Sequence, residues 1–354
     1  MAMYFYKFLI VSFLAVSVGG CNGANSSGKN LFSLKIDSNT GKIQQGSTIN
    51  VSLKNRKNKE IDSVTYTLHG NPIKLNNNAY TINTDKYGIQ NLEATVFFEG
   101  ESVKISEDIT ILSDKAPKVY TYEVINTYPH DMKAYTQGLE FYNDTLYEST
   151  GNPGRNGQSS LRKVDYKSGE ILKKIDLDNM YFGEGITIIN NKIYMLTWQE
   201  GTGFVYDLHT FEKLSTFKYN KSKEGWGLTH TNDGKKIYKS DGSDKIWILN
   251  PETLAEEDFI ETVTNTSVFN RANELEYVDG KIYANVYQKD SAMIIDPKTG
   301  AIIGVIDFRG LKEKVKQHPY LDVLNGIAYN PKTKTFFVTG KNWDKLFEVI
   351  IKEK

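Results

Sequence analysis

From residue 118 onward, apolar and polar positions alternate in runs of four to seven, the period of a half-buried strand. Helical periodicity is absent beyond the first twenty residues. One short signature punctuates the alternation five times: Gln137-Gly138-Leu139-Glu140, Glu184-Gly185-Ile186-Thr187, Trp226-Gly227-Leu228-Thr229, Asn273-Glu274-Leu275-Glu276 and Asn325-Gly326-Ile327-Ala328. Its second position recurs at 138, 185, 227, 274 and 326, steps of 47, 42, 47 and 52 residues. That is the length of one four-stranded propeller blade. Each signature is followed by a β-rich run: Leu146–Ser149, Ile193–Leu196, Ile237–Ser240, Ile282–Asn285 and Phe336–Thr339. A third strand and a turn rich in Asp, Pro, Lys and Gly come next, as in Val164–Gly169 and Ile295–Gly300, and then an outer strand. The expected fold is all-β, a five-bladed β-propeller over residues 117–354.

The fifth repeat has no outer strand after Lys345–Val349. The segment Tyr120–Tyr128 is a spare strand just before the first signature, and pairing it with the last blade would leave no sheet edge bare. Upstream, Phe32–Ile36, Thr48–Leu53, Ser63–Leu68 and Leu92–Phe98 alternate in the same way, and about seven short strands suggest an immunoglobulin-like sandwich over residues 32–116. Lys115-Ala116-Pro117 is the expected boundary.

The first twenty residues read differently. Lys7 precedes an apolar run, Phe8–Val18, too short to span a bilayer and the right length for a signal-peptide core. The run ends Val18-Gly19-Gly20-Cys21, and small residues before the only cysteine resemble a bacterial lipoprotein lipobox. Cys21 is then the expected lipidation site, residues 21–31 a flexible tether, and the location a membrane of the bacterial cell envelope, on its periplasmic or surface side. An ordinary secreted protein is the alternative.

With 43 basic and 43 acidic residues, nothing calls for a nucleic-acid partner. The five histidines, at 69, 130, 209, 230 and 318, lack the spacing of a zinc pair, so no catalytic metal is expected. The sequence does not speak to a structural cation in the channel. Asp241-Gly242-Ser243-Asp244 reads as a turn, since it lacks the later ligands of a calcium loop.

Inner-strand starts line the mouth of a propeller channel. Gln137, Glu184, Trp226, Asn273 and Asn325 should therefore converge there, joined by Trp198 and Lys341 if the repeats superpose. Seven stretches in order then carry a family resemblance: Tyr135–Glu140, Phe182–Thr187, Leu196–Glu200, Glu224–Thr229, Asn273–Tyr277, Leu324–Ala328 and Thr339–Trp343. They resemble the plant and bacterial type of glutaminyl-peptide cyclotransferase, over about residues 118–354. That resemblance implies a five-bladed propeller and an enzyme that closes the N-terminal glutamine of a peptide into pyroglutamate, releasing ammonia; the chain is expected to be a monomer and to need no cofactor. It also implies roles: Glu184 as proton shuttle, Lys341 for the oxyanion or leaving group, and Gln137 and Asn273 as substrate-amide and oxyanion partners. Trp198, Trp226, Tyr135, Tyr287 and Asn325 would bind substrate. Tyr135 and Tyr287 stand where the family commonly carries Phe and Trp, which bears on fine specificity. Taken singly, a Glu at a strand start or an indole at a strand end is as well explained by channel lining or blade packing. A surface-anchored binding lipoprotein without turnover and a metal-dependent propeller lactonase are the rival readings.

Overall fold

The computed structural model describes residues 30–38, 43–152 and 158–354. The expected signal segment, Cys21 and nearly all of the tether lie outside the described residues. The chain is all-β, and its internal contacts divide it into two compact units. The first comprises the described part of Met1–Ile36 with Val51–Asn78 and Asn91–Glu107; the second comprises Asp37–Asn50, Ala79–Gln90 and Asp108–Lys354.

Eight strands between Phe32 and Leu112 form a three-stranded and a five-stranded sheet. In the latter, Ile61–Leu68 runs antiparallel to Gly88–Phe98, with Val64 opposite Val96 and Leu68 opposite Leu92. The period-two pattern is realised: Leu92, Ala94, Val96 and Phe98 are buried while Asn91 and Phe97 face solvent. Phe32 packs edge-on to Phe98 at 5.1 Å within this core. Lys115-Ala116-Pro117 falls in the gap between strands Glu101–Leu112 and Lys118–Pro129.

The second unit is a succession of curled antiparallel sheets. The first joins Thr136–Tyr142, Thr145–Thr150, Ser160–Asp165 and Glu170–Asp176; the second joins Gly183–Ile189, Lys192–Thr197, Thr202–Asp207 and Lys213–Lys218. The third joins Leu228–His230, Ile237–Ser240, Lys245–Leu249 and Glu256–Glu261. The remaining strands form one eight-stranded sheet, in which Lys118–Pro129 lies between Ile302–Asp307 and Lys345–Glu353. It pairs antiparallel with the C-terminal strand, Tyr128 opposite Leu346, as the spare-strand argument expects. Its other edge pairs in parallel with Ile302–Asp307, a junction the repeat pattern does not suggest.

Apolar layers tie each sheet to the next. Tyr147 and Leu161 pack with Ile186 and Met195, Leu196 and Val205 with Leu228 and Trp247, and Ile246 with Ala284 and Met293. Leu139, Phe141 and Leu146 pack in turn with Ala328, Phe337 and Leu346, so the first sheet meets the last strands and the succession nearly closes on itself.

The signature glycines are explained by this closure. A Cβ on Gly138 would lie 2.6 Å from the backbone nitrogen of Ile186, one on Gly185 2.6 Å from the carbonyl of Trp226, and one on Gly227 2.1 Å from the carbonyl of Asn273. The inner strands touch backbone to backbone, which only glycine permits. Where the fourth copy carries Glu274 instead, its carboxylate accepts the backbone N–H groups of Leu139 (3.3 Å) and Ile327 (2.8 Å), bridging two other inner strands.

Candidate active site

Four of the five inner strands begin with a β-bulge, and the bulges fall on the signature itself. Pairing slips between Thr136 and Gly138, between Gly183 and Ile186, between Ala272 and Leu275, and between Leu324 and Ile327. The residues within these slips include Gln137, Glu184, Asn273 and Asn325. A bulge bends the strand and re-aims a side chain, so residues far apart in sequence reach one place.

That place is a cavity of about 390 Å³ lined by, among others, Tyr135, Gln137, Glu184, Trp198, Trp226, Asn273, Tyr287 and Lys341. Its size suits a small ligand or the end of a larger one. Of the expected site residues among those described, only Asn325 is absent from the wall. It is fully buried behind Gln137, because its bulge turns the amide onto the first inner strand: Nδ2 donates to Oε1 of Gln137 (3.1 Å) and to the carbonyl of Thr136 (3.0 Å). Gln137 then donates from Nε2 to Oε1 of Glu184 at 3.1 Å. Asn325 thus acts on the cavity through Gln137.

Glu184 is 4% exposed and Lys341 3%. Burial holds the Glu184 carboxyl well above the usual carboxylate range, against the opposing pull of Lys341. Burial likewise pushes the Lys341 ammonium down, with Glu184 and Asp322 pulling it back. Among the described residues no carboxylate forms an ion pair with Lys341; its Nζ lies instead over the rings of Tyr135 (4.8 Å) and Tyr287 (5.6 Å). The Tyr135 hydroxyl donates to Asp322 at 2.7 Å, and burial followed by this bond raises it far above an ordinary phenol. Asn273 brings an unspent acceptor, since its buried Oδ1 has no hydrogen-bond partner among the described residues.

The aromatic wall is built from contacts. Phe182 stands edge-on to Trp198 at 5.6 Å and to Tyr135 at 6.2 Å, and Trp226 edge-on to Tyr287 at 5.1 Å. Sequence reasoning missed the residue that aligns the two indoles. Glu224 accepts the Nε1–H of both Trp198 and Trp226 on one oxygen, each at 2.8 Å, and the Gln199 amide on the other at 3.1 Å. Beneath it, the buried Lys239 donates to the Glu224 carbonyl (2.7 Å) and pairs with Glu256 (3.0 Å). The signal was there in Glu224-Gly225-Trp226, a charge two residues ahead of an indole, but a lone charge by a turn reads as solvated.

Glu140, Glu274 and Glu276 are buried along the inner strands, outside the cavity wall, and burial raises all three. Each accepts at least one strand N–H: Ile188 on Glu140 (3.0 Å), Leu139 and Ile327 on Glu274, and Tyr329 on Glu276 (2.8 Å). Among the described residues no three His, Cys, Asp or Glu side chains are grouped to hold a metal ion. Asp241 closes a turn, as expected, accepting the N–H of Ser243 at 3.0 Å.

The site thus sets a buried carboxyl and a buried ammonium on one aromatic cavity, in a nearly closed all-β unit. Residues 94–351 match the family model described as glutamine cyclotransferase. Over 245 residues the chain is 40% identical to the glutaminyl-peptide cyclotransferase of Arabidopsis thaliana, covering 68% of this chain and 74% of that protein. Among solved structures it is similar to the glutaminyl cyclase of Myxococcus xanthus, at 34% identity with a TM-score of 0.61, over 67% of this chain and 99% of that one. The chain belongs to the glutamine cyclotransferase family.

Proposed function

We propose that this chain is a glutaminyl-peptide cyclotransferase that converts the N-terminal glutamine of peptides to pyroglutamate with release of ammonia. One observation carries the reading beyond family membership: Glu184 and Lys341 are both buried on one cavity, with their proton affinities displaced toward each other.

The reaction forms a bond from the α-nitrogen of glutamine to its own side-chain carbonyl carbon and breaks the bond from that carbon to the amide nitrogen. The α-amine must lose a proton and the leaving nitrogen must gain one. An α-ammonium group titrates at about 8, so a carboxylate held above its ordinary range takes up that proton at lower cost than an unperturbed one. Glu184 takes it from the amine and returns it to the departing ammonia. The tetrahedral oxyanion is met by the Lys341 ammonium, whose donors no carboxylate among those described has taken. Asn273 accepts from the substrate amide, Gln137 fixes the Glu184 oxygen it bonds, and the wall of Trp198, Trp226, Tyr135 and Tyr287 excludes water.

Around this site we place a five-bladed propeller over residues 117–354, an immunoglobulin-like sandwich over 32–116, and a lipid anchor on Cys21 holding a monomer at a membrane of the cell envelope. Catalysis is proposed to be free of metal. The test is mass spectrometry of a Gln-initiated peptide incubated with the protein. Loss of ammonia that persists in strong chelator is expected. An unchanged peptide mass would refute the activity, and turnover that stops in chelator and returns with zinc would refute the metal-free mechanism.

A further inference from the structure

A second groove, of about 950 Å³, adjoins the cavity, and Tyr135 and Asn152 line both. Asn152 is 3% exposed, and its Nδ2 has no hydrogen-bond partner among the described residues. Native structures seldom leave a buried amide donor unmade. The position is held rather than slack, since the neighbouring Gly151 N–H donates to the Tyr135 carbonyl at 2.9 Å. The donor therefore sits at the seam between the groove and the cavity that holds Glu184.

A peptide whose glutamine fills the cavity must carry its chain out of it. The cavity wall also offers the indole N–H groups of Trp198 and Trp226, both already spent on Glu224. The seam offers the free amide of Asn152. Most charges in the groove are paired: Arg162 donates to Asp131 at 2.9 Å, Lys174 pairs with Asp176 at 2.7 Å and Asp322 accepts the Tyr135 hydroxyl, while the exposed Lys133 has no ion-pair partner among the described residues. What the groove presents is apolar surface, foremost the ring of Tyr320, 79% exposed.

Building on the cyclase reading, we infer that this groove is the subsite for the substrate main chain beyond the N-terminal glutamine. Asn152 donates to the carbonyl of the first peptide bond, and Tyr320 packs against the side chain of the third residue. Its ligand is an extended peptide of at least three residues, recognised chiefly by backbone and apolar surface. Asn152 is a binding residue in this assignment; the proton transfers stay with Glu184.

The test compares kcat/KM for a Gln-initiated dipeptide amide with that for a Gln-initiated tetrapeptide carrying leucine at its third position. In the wild-type chain the tetrapeptide should be favoured by about tenfold or more, the worth of one or two ordinary hydrogen bonds or contacts. Asn152→Asp keeps the shape and removes the donor; Tyr320→Ser alters only an exposed ring. Each should shrink the tetrapeptide-to-dipeptide ratio by about five- to tenfold, through KM rather than kcat. Ratios in both variants within twofold of wild type, or no preference for the tetrapeptide in wild type, would overturn the subsite while leaving the cyclase reading intact. Failure of the wild-type chain to cyclise either peptide would overturn the cyclase reading, and the subsite with it.

Discussion

Gln137 gives its side-chain N–H to Oε1 of Glu184 over 3.1 Å, and so determines which carboxylate oxygen is left for a substrate. Oε1 carries that bond, and in the proposed mechanism Oε2 is the oxygen that receives and returns the proton. Because Gln137 is itself held by Asn325, the carboxylate is aimed by a chain of amides reaching across two bulged strands.

Glu184→Gln keeps the shape and cannot carry a proton. Turnover should fall by about 10²- to 10⁴-fold, the usual worth of a general acid–base group, with an unchanged melting curve. Activity within a factor of two of wild type would remove Glu184 from the proton path.

Asn325→Leu should disclose action at one remove. It strips the donor from Gln137 Oε1 and from the Thr136 carbonyl, at a cost of about 1–3 kcal/mol in stability for buried acceptors left bare. Released from its donor, Gln137 no longer fixes Glu184, so kcat should drop by about tenfold or more, near 1.4 kcal/mol, while KM stays close to wild type. A large rise in KM at constant kcat would instead mean that Asn325 touches the substrate.

Tyr287→Trp should do the reverse. The Tyr287 ring packs on Trp226 and lies under Lys341, so an indole there enlarges the apolar wall by roughly one ring, worth about 1 kcal/mol of binding at most. Steady-state kinetics should show KM shifting several-fold and kcat little. A change of orders of magnitude in kcat would bring the Tyr287 hydroxyl into the chemistry.

Stability should fall as pH rises from near 4.5 toward 8. Burial lifts Glu140 from its ordinary 4.5 to about 8. Across that window the unfolded carboxyl has lost its proton while the folded one keeps it, so the native state holds the extra proton and raising the pH disfavours it. Glu274 and Glu276 are displaced in the same direction. Calorimetry in chelator should show Tm decreasing across this window, with a shallower slope in Glu140→Gln. A Tm that climbs with pH there would contradict the protonated state of these carboxyls.

The sequence carried the inner strands plainly because the recurrence of Gly138, Gly185 and Gly227 reflects backbone contact, a constraint no other residue satisfies. It carried Glu184, Lys341 and the indoles for a related reason: equivalent positions of a repeat arrive at equivalent ends of the strands. Asn325 was placed on the wrong layer because a signature position does not reveal which way a bulge turns its side chain. Glu224 escaped notice because its function depends on two indoles, one of them 26 residues upstream. The parallel pairing of Lys118–Pro129 with Ile302–Asp307 was equally hidden, since an outer strand that receives a neighbour looks no different from one that ends a sheet.

The eight-stranded sheet also constrains how the chain can fold. Tyr128 and Glu348, hydrogen bonded at 2.9 Å, are 220 residues apart in sequence. Contacts of such separation form late, because the intervening chain must be ordered before they return anything. During synthesis the strand Lys118–Pro129 emerges first and waits, its C-terminal partner missing, until Lys345–Glu353 has been made. Until then the apolar face of Phe337 lacks Leu346 from the layer they share, and an early stop or a stalled chain would present open strand edges to other copies. The strand Lys345–Glu353 thus sets the timing, since its arrival pairs the waiting strand and covers an edge of the nearly closed arc that would otherwise invite aggregation.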